Sequence, residues 1–247
     1  MKMVVKELSK TLDQVYTLDN ISLHLKEGEF VVIIGPSGCG KSTLFNIISG
    51  LMEPDQGNVW IDDQNWTGKT GRISYMQQKD LLLPSRNILD NVSIPLRLQG
   101  MPKHLARRQA EGFLEDFGLT GFADYYPRQL SGGMRQRAAL LRTYLQASDI
   151  LLLDEPFASL DAISRHSMQL WLKDLQARYG SSVLFITHDI EEALVLADRI
   201  YLFAARPAQV RLEIDLNHER THGVELSLLK QKILHVLEAE MVLSPTI

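Results

Sequence analysis

Short apolar runs separated by turn residues mark the predicted strands of this chain. Near the N-terminus they lie at Val4–Leu8, Ile21–Leu25 and Phe30–Ile34. Two further runs, Ile150–Leu153 and Val183–Thr187, flank a helical stretch at about residues 162–179. A strand, a helix and a second strand in this order predict a parallel sheet with helices packed on it.

Apolar positions at helical spacing predict a helix at Ser42–Ser49 and a mainly helical segment at residues 86–147. Within that segment, Pro102 suits the first position of a helix, and Gly118 suits its end. The apolar stripe of this helix consists of Ala106, Ala110, Phe113, Leu114 and Phe117. The segment therefore looks like a helical insert between strands.

Composition narrows the class of protein further. The 247 residues are 45% hydrophobic and 23% charged, which is typical of a soluble globular domain. The apolar runs are strand-sized, and the N-terminus has no signal-peptide pattern. Cys39 is the single cysteine, so an intramolecular disulfide is excluded. A net charge of −4 argues against a nucleic-acid surface. We therefore expect a soluble cytosolic protein.

A glycine-rich segment after the third strand matches the Walker A phosphate-binding pattern and opens a helix. Backbone N–H groups of such a loop surround phosphates, Lys41 can reach the β- and γ-phosphates, and the Ser42 hydroxyl can ligate Mg²⁺. The alternatives, a chance glycine-rich turn or a redox role for Cys39, explain less. We therefore predict an ATP and Mg²⁺ site. The segment consists of Gly35, Pro36, Ser37, Gly38, Cys39, Gly40, Lys41, Ser42 and Thr43.

A second glycine-containing motif, Ser131-Gly132-Gly133, precedes a predicted helix at Met134–Leu145. A hydroxyl, two glycines and a helix N-terminus can form an anion site, although they can equally be a capped helix start. The longer run Leu130–Arg137 reads Leu-Ser-Gly-Gly-Met-Arg-Gln-Arg. It resembles the signature motif of ATP-binding-cassette (ABC) ATPases, and the resemblance extends over nearly the whole chain.

This resemblance implies a fold and an assembly. The fold would be an α/β P-loop, RecA-like mixed sheet core with an N-terminal antiparallel β subdomain and an inserted α-helical subdomain. The core would take residues 1–85 and 148–225 of one domain, with a helical signature subdomain at 86–147 and a C-terminal helix at 226–247. In the family, the signature contacts ATP held by a second ATPase subunit. The residues expected to do so are Ser131, Gly132, Gly133 and Gln136.

Two carboxylates end the strand Ile150–Leu153, as in a Walker B motif. Asp154 is placed to hold Mg²⁺ through water, and Glu155 to act as the general base or to orient the attacking water. The alternative, a pair of solvated loop carboxylates, does not account for the accompanying Walker A and signature motifs.

Three more positions carry roles that the resemblance implies. His188 follows the strand Val183–Thr187 and resembles the switch histidine that contacts the γ-phosphate. Gln78 resembles the Q-loop glutamine, which binds Mg²⁺ or water, although Gln77 beside it leaves a one-residue ambiguity. Asp161, in Ser159-Leu160-Asp161, resembles the D-loop aspartate and can also cap a helix.

The chain departs from the family at the adenine position. An aromatic residue expected to stack on the base falls on Leu12, which has no π-system. Tyr16 lies close by and is the alternative, although packing in the core explains it equally well.

Several phrases of the chain look most like bacterial importers of the nitrate, taurine, sulfonate and thiamine-precursor group. This reading implies a peripheral ATPase on the cytoplasmic face of the membrane. Its partners would be a second, identical cassette, integral-membrane permease subunits and a substrate-binding protein, and no nucleic acid. The alternatives are the ATPase of an export or lipid-handling system, or a soluble non-transport ABC ATPase.

Overall fold

The structure is a computed structural model that describes residues 1–146, 148–158 and 160–243. The strands are β1 (Met3–Leu12), β2 (Val15–Leu25), β3 (Phe30–Ile34), β4 (Gln56–Ile61), β5 (Gln64–Asn65), β6 (Ser74–Met76), β7 (Ile150–Asp154), β8 (Ser182–Thr187), β9 (Arg199–Phe203) and β10 (Val210–Asp215). The helices are α1 (Lys41–Ile48), α2 (Ile88–Val92), α3 (Ile94–Leu98), α4 (Lys103–Glu111), α5 (Gly132–Tyr144), α6 (Ala162–Tyr179), α7 (Ile190–Leu196), α8 (Leu216–Thr221) and α9 (Leu226–Leu243).

The first compact unit combines Met1–Arg72 with the chain from Gln169 onward. It contains an antiparallel sheet in the order β2-β1-β4-β5. The β1–β2 hairpin turns through Asp13 and Gln14, whose φ angles are 46° and 66°. Two successive left-handed residues form the mirror-image turn that matches the twist of a hairpin. This sheet agrees with the antiparallel β subdomain expected near the N-terminus.

A second set of strands in this unit has β3 at its centre. Strand β3 runs parallel to both β8 and β9, and β10 is antiparallel to β9. Every residue of β3, β8 and β9 is buried, as expected for parallel strands covered on both faces. The apolar runs predicted at Phe30–Ile34 and Val183–Thr187 are confirmed as parallel neighbours.

The second compact unit is Ile73–Met168. Strands β6 and β7 pair in parallel, with Tyr75 opposite Leu152, and helices α2 to α5 follow β6 along the chain. The apolar stripe that the sequence placed in this segment is largely buried, with Ala106, Ala110 and Phe117 all at 0% exposure. The stripe was therefore predicted correctly.

The helix that carries the stripe is shorter than predicted. Helix α4 begins at Lys103 with Pro102 as its N-cap, and it ends at Glu111, before the predicted stop at Gly118. Gly112 follows directly, and glycine stabilises a helix less than other residues do. Beyond it, the N–H groups of Phe113 and Leu114 bond three residues back, to Ala110 and Glu111, which is a tighter turn than an α-helix makes.

The boundaries proposed for the core, the signature subdomain and the C-terminal helix stay a prediction, and residues 244–247 of that helix lie outside the described residues. Among the helices of the described chain, none combines the length and the apolar character that crossing a membrane requires.

Candidate nucleotide site

The Walker A loop (Gly35–Thr43) leaves β3 and enters α1 within the first unit. A Cβ atom at Gly35 would lie 2.9 Å from Cβ of Phe203, so only glycine allows this close approach of β9. Gly40 has a φ of 120°, and a Cβ there would lie 2.9 Å from Leu18. The loop conformation therefore depends on its neighbours as well as on its own sequence.

Lys41 is 5% exposed, and its ammonium bonds to the loop itself. Its Nζ donates to the carbonyl oxygens of Gly35 and Pro36, both at 2.8 Å. By contrast, Ser37, Gly38 and Ser42 are exposed. A cation held by a loop with accessible backbone at a helix N-terminus fits the phosphates of a nucleotide.

Cys39 lies in the same loop and is 2% exposed. Burial raises the pKa of its thiol, against the charge of Lys41, whose Nζ lies 4.0 Å from Sγ. A buried thiol with a raised pKa is a poor nucleophile. The geometry favours a packing role for Cys39 within the loop.

His188 lies at the same sheet edge as the Walker A loop. In the parallel register, Ile34 at the end of β3 pairs with Thr187 at the end of β8. The residues that follow these strand ends, Gly35 and His188, therefore emerge side by side, and His188 is exposed. Asp189 caps α7 by accepting from the N–H of Glu192.

The second unit brings the predicted carboxylates together with Gln78. Asp154, at the end of β7, is 4% exposed, and Glu155 follows with a φ of 45°. The left-handed region is uncommon for a residue with a side chain, and such conformations are concentrated at functional sites. Gln78 Nε2 donates to Glu155 Oε2 at 3.2 Å. This bond favours Gln78 over Gln77.

Tyr75 is a neighbour of Asp154 that the sequence did not single out. Its hydroxyl donates to Asp154 Oδ2 at 3.5 Å, and burial together with the Asp154 charge raises the pKa of the phenol. The phenol therefore stays protonated and remains a donor. In β6, Tyr75 lies between the buried residues Ser74 and Met76. This alternation of burial gave no indication that Tyr75 bonds to Asp154.

The signature segment (Leu130–Arg137) forms the start of α5. Ser131 is the N-cap of the helix, and its Oγ accepts from the Met134 N–H at 3.3 Å. A Cβ at Gly133 would lie 3.2 Å from Leu160, whereas Gly132 has more room. Ser131 is exposed and Gln136 is 7% exposed. The structure thus shows the capped helix start, and the contact with nucleotide stays a prediction.

Asp161 caps α6, since its Oδ1 accepts from the Ser164 N–H at 3.0 Å. This bond from Ser164 holds the pKa of the carboxyl below its usual range. The proposed D-loop also includes Ser159, which lies outside the described residues. The helix-capping alternative for Asp161 is confirmed, and its role across a dimer stays a prediction.

The two candidates for adenine stacking differ in their surroundings. Leu12 is half-buried at the end of β1, whereas Tyr16 is 44% exposed on β2. The Tyr16 hydroxyl donates to Asp19 Oδ1 at 2.7 Å. Core packing therefore does not explain Tyr16.

Residues 18–158 match the ABC transporter family. A taurine import ATP-binding protein of Pseudomonas aeruginosa is 42% identical over 215 residues, which cover 86% of this chain and 82% of the relative. A formylaminopyrimidine import ATP-binding protein of Halalkalibacterium halodurans is 46% identical over 199 residues, or 81% and 78% of the two chains.

A solved structure shows the same fold. The dimeric post-hydrolysis state of the ATP-binding cassette MJ0796, bound to ADP and Pi, superposes with a TM-score of 0.76 and 34% identity. The match covers 87% of this chain and 98% of that one. The chain belongs to the ABC transporter family. Within it, this protein is an ATP-binding cassette and an ATPase, which confirms the predicted family, fold class and enzyme activity.

Proposed function

We propose that this cassette is the ATPase subunit of a bacterial nutrient importer of the nitrate, taurine, sulfonate or thiamine-precursor type. Two of its relatives are named as import ATP-binding proteins for taurine and for formylaminopyrimidine. The cassette would sit on the cytoplasmic face of the membrane, attached to separate permease subunits and served by a substrate-binding protein.

Phosphate binding is assigned to the Walker A loop. Lys41 exchanges the carbonyl oxygens of Gly35 and Pro36 for oxygens of the β- and γ-phosphates. The N–H groups of the loop and of the first turn of α1 supply the remaining donors. The residues in this role are Gly35, Pro36, Ser37, Gly38, Cys39, Gly40, Lys41, Ser42 and Thr43.

Each unit carries predicted ligands for Mg²⁺, which are Ser42 in the first unit and Asp154 and Gln78 in the second. A hydroxyl, a carboxylate and an amide supply the oxygen ligands that this ion takes in proteins. When bound, Mg²⁺ neutralises charge that develops on the phosphate oxygens during hydrolysis. The Tyr75 hydroxyl positions the Asp154 carboxylate.

The chemical step is assigned to Glu155. Its carboxylate takes a proton from the attacking water while Gln78 orients that carboxylate through the 3.2 Å bond. His188 donates to the γ-phosphate, where negative charge accumulates.

The composite site requires a second copy of the chain. Ser131, Gly132, Gly133 and Gln136 would act on the nucleotide of the partner subunit, and Asp161 would link the two sites. Closure of the dimer on ATP moves the permease, and hydrolysis reverses the closure.

The observation that carries the hydrolytic part of this proposal is the bond between Gln78 and Glu155, together with the left-handed backbone of Glu155. We expect Glu155→Gln to keep ATP binding but to lower hydrolysis at least about a hundredfold, because the amide accepts no proton. Phosphate release measures the rate, and light scattering measures ATP-dependent dimers.

The matched control is Glu111→Gln, since Glu111 is exposed at the end of α4. It should hydrolyse ATP at the wild-type rate. An affinity-tagged Glu155→Gln protein, extracted from membranes in mild detergent with ATP, should copurify with an integral-membrane permease. Wild-type hydrolysis by Glu155→Gln would exclude Glu155 as the base, and recovery of soluble partners in place of a permease would exclude the importer assignment.

A further inference from the structure

The segment after β9 packs against the outer side of the Walker A loop. Phe203, the last residue of β9, approaches Gly35 so closely that a Cβ there would lie 3.1 Å from the Phe203 carbonyl oxygen. Three residues further on, Arg206 Nη2 donates to the Gly38 carbonyl oxygen at 2.6 Å. The guanidinium is exposed, so it reaches the loop from the solvent side.

This bond fixes one peptide of the loop. The C=O and N–H of a trans peptide point in opposite directions. With the Gly38 carbonyl turned towards Arg206, the N–H of Cys39 points the other way, to the Pro36 carbonyl oxygen at 3.4 Å. That second bond is long, so the N–H remains a donor that a phosphate oxygen can recruit.

The loop carbonyls are thus held by two cations. Lys41 binds those of Gly35 and Pro36, and Arg206 binds that of Gly38. A bound phosphate would affect the bonds of these two cations differently. Lys41 is the group that turns to the phosphate. Arg206 bonds to the Gly38 carbonyl oxygen, on the opposite side of that peptide from the Cys39 N–H that would donate to phosphate.

We propose that Arg206 is a positioning residue for nucleotide binding, which holds the Gly38–Cys39 peptide in the orientation that presents its N–H to phosphate. The inference rests on the proposed function of the Walker A loop. Because Arg206 acts on the loop and not on the reaction, its loss weakens the binding of ADP and of ATP to the same extent. It raises KM and leaves kcat near its wild-type value.

The experiment compares Arg206→Ala and Arg206→Lys with the wild type. Calorimetry should show that Arg206→Ala binds both ADP and ATP about fivefold more weakly, the size expected for one exposed charge-assisted hydrogen bond. Arg206→Lys, which keeps one donor and the charge, should recover part of the affinity. Amide exchange of residues 37–41 should be faster in nucleotide-free Arg206→Ala than in the nucleotide-free wild type.

Arg178→Ala is the control, because Arg178 pairs with Asp174 at 2.7 Å near the amino end of β8, at the opposite sheet edge from the loop. It should bind both nucleotides like the wild type. Unchanged ADP affinity in Arg206→Ala would overturn the inference. Weaker ADP binding with unchanged amide exchange would overturn it too, since Arg206 would then touch phosphate directly.

The proposed function is tested separately in the same series by Lys41→Ala. If the wild type and Lys41→Ala bind ADP and ATP equally, the phosphate-binding role of the loop is wrong, and the inference about Arg206 fails with it. If only Arg206→Ala matches the wild type, the inference fails and the proposed function stands.

Discussion

Asn91 is a single buried amide that holds a length of backbone in place. It is 0% exposed, and its Oδ1 accepts from the Leu83 N–H at 2.7 Å. Its Nδ2 lies within bonding distance of the carbonyl oxygens of Leu83, Arg86 and Asn87, at 3.0 to 3.1 Å. One side chain thus bonds to the backbone of Leu83, Arg86 and Asn87, just before α2.

We expect Asn91→Asp to lower the free energy of unfolding by about 3 kcal/mol. The carboxylate keeps the acceptor for Leu83, but it places negative charge against three carbonyl oxygens. Urea unfolding measures the change. The control is Asn20→Asp, at an exposed position, which should stay within about 0.5 kcal/mol of the wild type. Equal losses in both variants would contradict this view of Asn91.

Residue roles could be predicted where a motif imposes them and not where the fold does. The spacing of Gly35 to Thr43 specified the phosphate loop, because each residue type there serves the ligand. Asn91, Tyr75 and Arg206 are different. Asn91 and Arg206 bond to backbone groups 8 and 168 positions away, and Tyr75 bonds to a carboxylate 79 positions away. No local pattern encodes such pairs.

Between elements, two arginines of α5 fasten the chain just after Gln78. Arg142 donates to the carbonyl oxygens of Asp80 and Leu81, at 2.6 and 2.7 Å, and Arg135 Nε donates to Asp80 Oδ2 at 3.2 Å. Leu81 has a φ of 46°, an uncommon backbone conformation that these bonds help to hold. Helix α5, which begins in the signature segment, is thus linked to the backbone just after Gln78.

This link predicts a specific kinetic defect. Arg142→Met should keep the ATP affinity, because the Walker A loop is untouched, but should lower kcat about tenfold as Gln78 loses its position. Calorimetry and phosphate release measure the two quantities. Arg108→Met, at an exposed position of α4, is the control and should leave both unchanged. An Arg142→Met protein with wild-type kcat would show that the link has no catalytic role.

Elements with one dominant signal were predicted well. Strands β3 and β8 are wholly apolar or nearly so, and both were found within one residue of their ends. Strand β9 was not predicted, although Ile200–Phe203 is an apolar run, and its first residue is the buried Arg199. That arginine is compensated by Glu29 at 3.0 Å, 170 positions away, and by Glu213 on β10. A buried ion pair of this kind is visible only in the fold.

For the whole molecule, the predicted residues divide between the two compact units. The Walker A loop and His188 belong to the first, and Gln78, Asp154, Glu155 and the signature segment to the second. The chain matches a dimeric cassette structure. The proposal that the signature segment acts on the nucleotide of the partner subunit can therefore be tested with mixed dimers.

Mixing two inactive variants should restore part of the activity. Ser131→Arg blocks the signature, and Lys41→Ala removes phosphate binding, so each homodimer lacks both composite sites. A mixed dimer keeps one intact site, and random pairing yields about half mixed dimers, hence roughly a quarter of wild-type hydrolysis if the sites act independently. Phosphate release across a titration of the two variants measures it.

Isolated Ser131→Arg protein with full activity would contradict the trans assignment. A second mixture pairs Ser131→Arg with Glu155→Gln, and both residues lie in the unit Ile73–Met168. It should likewise recover activity only if Ser131 serves the nucleotide of the other chain.

The bonds that Lys41 makes to its own loop affect the stability of the folded chain. A buried ammonium without partners would destabilise a folded chain by about 3–5 kcal/mol. Here the Gly35 and Pro36 carbonyls satisfy it in advance. The cost of burying this charge is therefore offset within the loop itself, and we expect the chain to be stable to unfolding without a bound phosphate group.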